Sequence, residues 1–168
     1  MADNFREIKT IYLRNFIFGV EDSLVSTIGL LSGIAVAGVP RPTIILTGII
    51  LIFVEAISMA AGSFLSEYSV EEETNRKPVM PFKKSLFGGG VMFFSYFIAG
   101  FIPLFPYLTQ SITSPFKISV SVSLVSLFIL GLLGGKAKRV NVLKRGIRMV
   151  VIGGFAIAAG IIVGGLIK

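Results

Sequence analysis

Residues 16–38 read FIFGVEDSLVSTIGLLSGIAVAG and residues 43–64 read TIILTGIILIFVEAISMAAGSF. Each is long enough to cross about 30 Å of hydrocarbon as a helix, for which about 20 apolar residues suffice. Each also carries acid within the apolar run: Glu21 and Asp22 in the first, Glu55 in the second. A carboxylate near the bilayer centre costs roughly 2.5–3.5 kcal/mol on insertion scales, so such a residue marks ion or proton traffic or a buried partner. No Lys or Arg falls inside the apolar runs to serve as that partner. The missing counter-charge is then a mobile one, a metal ion or a proton.

Working outward, three more apolar runs follow, giving spans at about 16–38, 43–64, 86–105, 118–133 and 149–167. The chain of 168 residues is 54% hydrophobic and 15% charged, with mean hydropathy +0.87. That composition excludes a soluble globular domain. Residues 1–15 carry Phe5, Ile8 and Tyr12 at helical spacing among charges, the pattern of an amphipathic segment on the cytoplasmic membrane surface. Residues 16–168 then form one five-helix transmembrane domain with cytoplasmic loops at 65–85 and 134–148. The expected class is an all-α integral membrane protein.

Charge sets the expected orientation. With the N-terminus cytoplasmic, 13 basic residues lie inside and 3 outside, namely Arg41, Lys117 and Lys168. This asymmetry favours N-in and C-out. The net charge of +7 is therefore a topology signal in short loops and not a nucleic-acid surface. Arg14, the apolar run and Ala35-Val36-Ala37-Gly38 together mimic a cleaved leader, but Glu21 and Asp22 would interrupt its apolar core.

With no Cys and no His, thiolate and imidazole metal sites, cysteine nucleophiles and histidine bases are excluded. What remains is oxygen and thioether. In the first span Asn15, Gly19, Asp22, Ser26, Gly29 and Gly33 recur at steps of four and three and share one face. In the second, Glu55, Met59, Gly62 and Ser66 do the same. Helix packing is the better account of the glycines. Counted along antiparallel helices, Met59 lies as deep as Asp22, and Glu55 about 6 Å deeper. Two hard oxygens and one thioether suit Fe2+ or Mn2+ better than Zn2+. All nine acids fall within residues 1–73. Glu67, Glu71, Glu72 and Glu73 crowd the mouth of the second span, where a group of carboxylates raises local cation concentration.

The segment from Arg14 to Thr27, with Glu55-Ala56-Ile57-Ser58-Met59-Ala60-Ala61-Gly62, resembles the two signature helices of the vacuolar iron transporter family. The resemblance implies a five-span homodimer that moves Fe2+, and often Mn2+, out of the cytoplasm in exchange for protons. It implies Asp22, Glu55 and Met59 as metal ligands. Glu67 is expected as a direct contact from its place at the end of the polar stripe. Glu71, Glu72, Glu73 and Glu21 are expected as entry acids. Departures from the pattern are Glu21, Ser23 and Ser63, together with a connection of about twenty residues where many members hold a cytoplasmic metal-collecting domain.

The competing readings are a transporter or channel for another cation, a membrane-embedded enzyme and a scaffold. An enzyme would need acids placed for joint chemistry, and Glu55 has no accompanying motif. The expected chain is thus no enzyme and needs no cofactor. Its partners are metal ion, protons, lipid and a second copy meeting it on the glycine face of the first span. Its expected place is the cell membrane, with an organellar membrane as the alternative.

Overall fold

The computed structural model describes residues 2–73, 82–137 and 141–167, with backbone alone for 2–8, 69–73 and 137. The described residues form five helices: α1 (Ala2–Val36), α2 (Arg41–Glu73), α3 (Phe82–Leu108), α4 (Pro115–Ala137) and α5 (Val142–Ile167). Each holds a stretch long and apolar enough to span a membrane: Lys9–Val36, Arg41–Tyr68, Phe82–Leu108, Pro115–Lys136 and Val142–Ile167. The protein is an all-helical, multi-pass membrane protein, the class its hydropathy implies. Phe94, Ile98, Phe155 and Leu166 stand outward as lipid-facing residues do, with Leu166 82% exposed.

The helices outrun the apolar runs that announced them. α1 continues unbroken from Ala2, so residues 1–15 are not a separate surface helix from Ala2 onward. α2 runs nine residues beyond Phe64, and α5 begins at Val142, seven before Met149. Hydropathy marks the edge of the hydrocarbon, whereas a helix ends where its backbone is capped or broken. Residues 65–73 contain neither Gly nor Pro. Of the expected loop charges, Arg76, Lys77, Lys138 and Arg139 lie outside the described residues, as does Lys168.

Local chemistry makes the turns. α1 ends on Gly38 at φ 79°, with Val39 N–H donating to Ile34 O at 3.2 Å and Gly38 N–H to Ala35 O at 3.2 Å. This paired closure needs a left-handed residue, which glycine adopts without a Cβ penalty. Asn141 opens α5, its Oδ1 accepting from Lys144 N–H at 3.1 Å. Pro103 and Pro106 sit within α3, which nevertheless reaches Leu108. Its terminal carbonyls are taken up by Arg41, whose guanidinium donates to Tyr107 O at 2.7 Å and Thr109 O at 2.5 Å. A cation at a helix C-terminus is also favoured by the helix dipole.

α1 is the hub. It packs mainly on α3 and α5, with α4 behind, and only lightly on α2, which α3 holds in place. The small residues of α1 create these contacts. A Cβ built at Gly33 would lie 2.8 Å from Gly160 O, and one at Gly29 would lie 3.2 Å from Ala156 O. One at Gly19 would strike Ser95 Oγ. The glycine face read as a meeting surface for a second copy is therefore spent inside the chain, on α5 and α3. In lipid, where apolar burial gives no net drive, such close backbone approach supplies the packing.

With α1, α3 and α5 starting where α2 and α4 end, Lys9, Arg14, Lys83, Lys84, Lys136, Lys144, Arg145 and Arg148 gather at one end of the bundle. Arg41 and Lys117 mark the other.

The α1–α5 seam predicts the outcome of substitution. Gly33→Leu should lower stability by at least about 1–3 kcal/mol through overpacking. Gly154→Leu, where a Cβ meets nothing within 4 Å, should be near neutral. Thermal unfolding of the two variants in detergent checks this.

Candidate cation site between the first two helices

The relative height of α1 and α2 is fixed by contacts near both ends. Asn15 Nδ2 donates to Ser63 Oγ at 2.9 Å and Glu67 Oε1 at 2.8 Å. Toward the other end, a Cβ at Gly48 would lie 3.3 Å from Leu31. Between these rungs, Asp22 falls level with the turn from Glu55 to Met59, and Ser26 falls just beyond Glu55, at about 1.5 Å per residue. Asp22, Ser26, Glu55 and Met59 are all half-buried. Asp22 lies within electrostatic reach of Glu55. The structure thus brings three of the expected site residues to one height on α1 and α2.

Glu67 is not among them. It stands twelve residues from Glu55 along α2, about 18 Å. Its side chain is 7% exposed and binds Asn15, with Ser63 Oγ at 3.4 Å and the Arg14 guanidinium at 3.8 Å. Among the described residues this is the one ion pair. Glu67 Oε2 has no hydrogen-bond partner and lies against Gly88, where a Cβ would come within 2.6 Å. Asn15 also reaches Gly88 O at 3.2 Å, so one buried amide ties α1, α2 and α3 together. The side chains of Glu71, Glu72 and Glu73 lie outside the described part of the structure.

Glu21 differs from its neighbour. It lies within electrostatic reach of both Arg145 and Asp22. Arg145 belongs to the span-length helix α5 and not to a loop, with its guanidinium donating to Gly134 O at 3.3 Å. The apparent lack of any basic residue within the spans is corrected accordingly: one acid of the Glu21-Asp22 pair has a basic neighbour. No ion pair forms at Asp22 or Glu55 among the described residues.

Tyr96 was not singled out by sequence. It is fully buried on α3, and its hydroxyl lies 2.7 Å from Ser26 Oγ. It stands within electrostatic reach of Asp22 and Glu55. The available signal was its position: a tyrosine in mid-span needs a partner for its hydroxyl, unlike one at an interface. Among the described residues, no three Asp or Glu side chains converge as a metal cluster. At this height Glu21 neighbours Arg145, while Asp22 and Glu55 have no ion-paired partner among the described residues.

The VIT family model matches residues 13–81 and 69–165. The chain belongs to the VIT family. The two matched stretches meet at the connection between α2 and α3, and the first contains every residue of the α1–α2 seam described above. VIT family membership makes this a multi-pass protein of a transporter family. No curated protein matches the chain.

The buried amide generates a test. Asn15→Ala leaves the Glu67 carboxylate without its best donor and should cost about 1–3 kcal/mol. Glu67→Gln keeps an acceptor oxygen for Asn15 and should cost less. Thermal unfolding in detergent distinguishes the two.

Proposed function

We infer that this VIT-family protein moves a divalent first-row cation, Fe2+ or Mn2+, out of the cytoplasm in exchange for protons. What supports it is that Asp22 lies within electrostatic reach of Glu55, at the height of the turn from Glu55 to Met59, and that neither acid has an ion-paired partner among the described residues. Two carboxylates close together at mid-depth repel each other, and a dication relieves that repulsion. Protons do the same in its absence. Binding of metal therefore releases protons from the site, and reprotonation favours metal release. Hard oxygen ligands with one thioether favour Fe2+ and Mn2+.

The basic end of the bundle faces the cytoplasm under the positive-inside rule. Glu71, Glu72 and Glu73 then stand at the cytoplasmic mouth of α2 and concentrate cations there. Glu67, held by Asn15, belongs to the scaffold of that mouth. A cell membrane is the expected location, and export relieves the cytoplasm of excess metal.

A second copy completes the site. Asp22 and Glu55 are half-buried on two helices that pack only lightly on each other, and lipid contact is costly for a carboxylate. Packing α1–α2 seams across a twofold axis covers both pairs and doubles the carboxylates around one path. The interface on this reading is the stretch of α1 and α2 around Asp22 and Glu55, not the stretch from Gly29 to Gly33 already filled by α5.

Asp22→Asn and Glu55→Gln should each fold and lose metal-driven proton movement in proteoliposomes down to the protein-free rate. Wild-type flux in either variant would refute the assignment. The chain has no Cys, so Gly62→Cys, at a position where a Cβ meets nothing within 4 Å, reports directly on assembly. Oxidation in membranes should yield a disulfide-linked dimer. A chain that stays uncrosslinked and runs as a single copy in both detergent and lipid would exclude the dimer.

A further inference from the structure

One more side-chain oxygen lies a single turn from Asp22 on α1. Ser26 follows Asp22 by four residues, which puts the two side chains on the same side of α1, one turn apart. It is half-buried and level with the position just beyond Glu55. Its Oγ lies 2.7 Å from the Tyr96 hydroxyl and 3.5 Å from Ser23 O. Tyr96 is pinned from the other side as well, because Ser23 Oγ donates to its carbonyl at 2.6 Å. α1 and α3 are therefore locked at this height through two hydrogen bonds.

The hydrogens have a consistent arrangement. Tyr96 O–H donates to Ser26 Oγ, and Ser26 O–H donates to the Ser23 carbonyl. A serine oxygen has two lone pairs, and only one is used in this chain. The other is available to the seam. Among the buried serines, Ser95 donates to Met92 O at 3.0 Å, Ser119 to Pro103 O at 2.6 Å and Ser123 to Ser119 O at 2.7 Å, while Ser32 and Ser85 have no hydrogen-bond partner. The Tyr96 hydroxyl is met by Ser26, whereas that of the similarly buried Tyr107 has no hydrogen-bond partner.

We propose that Ser26 is a further oxygen ligand of the cation held by Asp22 and Glu55, that Tyr96 positions it, and that the pair sets the preference for hard divalent ions. This rests on the transport reading above. Met59 provides a soft sulfur that by itself would welcome thiophilic ions such as Cd2+. A neutral hydroxyl adds oxygen character without adding charge, and so biases the site toward Mn2+ and Fe2+. Tyr96 acts through Ser26. It fixes the direction of the free lone pair, as outer hydrogen-bond partners do for ligands in metal sites, where their loss costs 10–100-fold.

The test measures Mn2+ and Cd2+ transport by the full chain in proteoliposomes and reads the ratio of the two. Ser26→Ala and Tyr96→Phe should each lower the Mn2+ to Cd2+ ratio by about tenfold. Ser26→Cys should lower it further by raising Cd2+ transport, and Ser26→Thr, which keeps the hydroxyl, should retain the wild-type ratio. A variant that merely loosens packing reduces both ions together and leaves the ratio alone. A wild-type ratio in Ser26→Ala and Ser26→Cys, with Asp22→Asn inactive, overturns the role of Ser26 and leaves the site standing. Full activity of Asp22→Asn overturns the site and Ser26 with it.

Discussion

The close approach of α1 to α3 and α5 is the constraint on which the rest of this bundle depends. Gly29 and Gly33 bring α1 backbone-close to Ala156 and Gly160 on α5, while Gly19 admits Ser95 of α3. A helix clasped on those two sides has little surface left for α2. α1 and α2 pack only lightly on each other, and Asp22, Ser26, Glu55 and Met59 lie at nearly one height along these two helices.

The seam is bounded by a fixed rung at its basic end. Asn15, 1% exposed, joins Ser63, Glu67 and the Gly88 carbonyl, so three helices meet through one amide. This connection sets the height of α2 against α1 and brings Asp22 level with the turn between Glu55 and Met59. It also gives Glu67 a structural occupation. A carboxylate expected to touch cargo is instead buried against glycine about 18 Å from Glu55 along the same helix.

Polar groups within the bundle differ in how they are met. Asn15–Glu67, Arg41 with the end of α3, and Ser119 with Pro103 satisfy one another or free carbonyls, while the buried hydroxyls of Thr27, Ser32, Ser85 and Tyr107 have no hydrogen-bond partner. Asp22 and Glu55 face like charge and gain no basic partner. That contrast sets Asp22 and Glu55 apart from the paired polar groups of the same bundle.

How much of this was legible beforehand follows from the range of each interaction. Five apolar runs fixed the all-helical, membrane-spanning class, because crossing hydrocarbon is a demand each segment meets by its own composition. The shared face of Asp22 and Ser26, and of Glu55 and Met59, was likewise local, since helical periodicity alone puts them together. Helix ends were not: Tyr68 and Arg145 lie in helices that continue past the apolar edge. Nor could spacing say that Gly29 and Gly33 meet α5, that Arg145 lies near Glu21, or that Tyr96 reaches Ser26 from α3. Sequence determines which residues share a helix face. Only tertiary packing decides which neighbour fills that face and which is left open, because contact between helices depends on the shapes of two surfaces brought together.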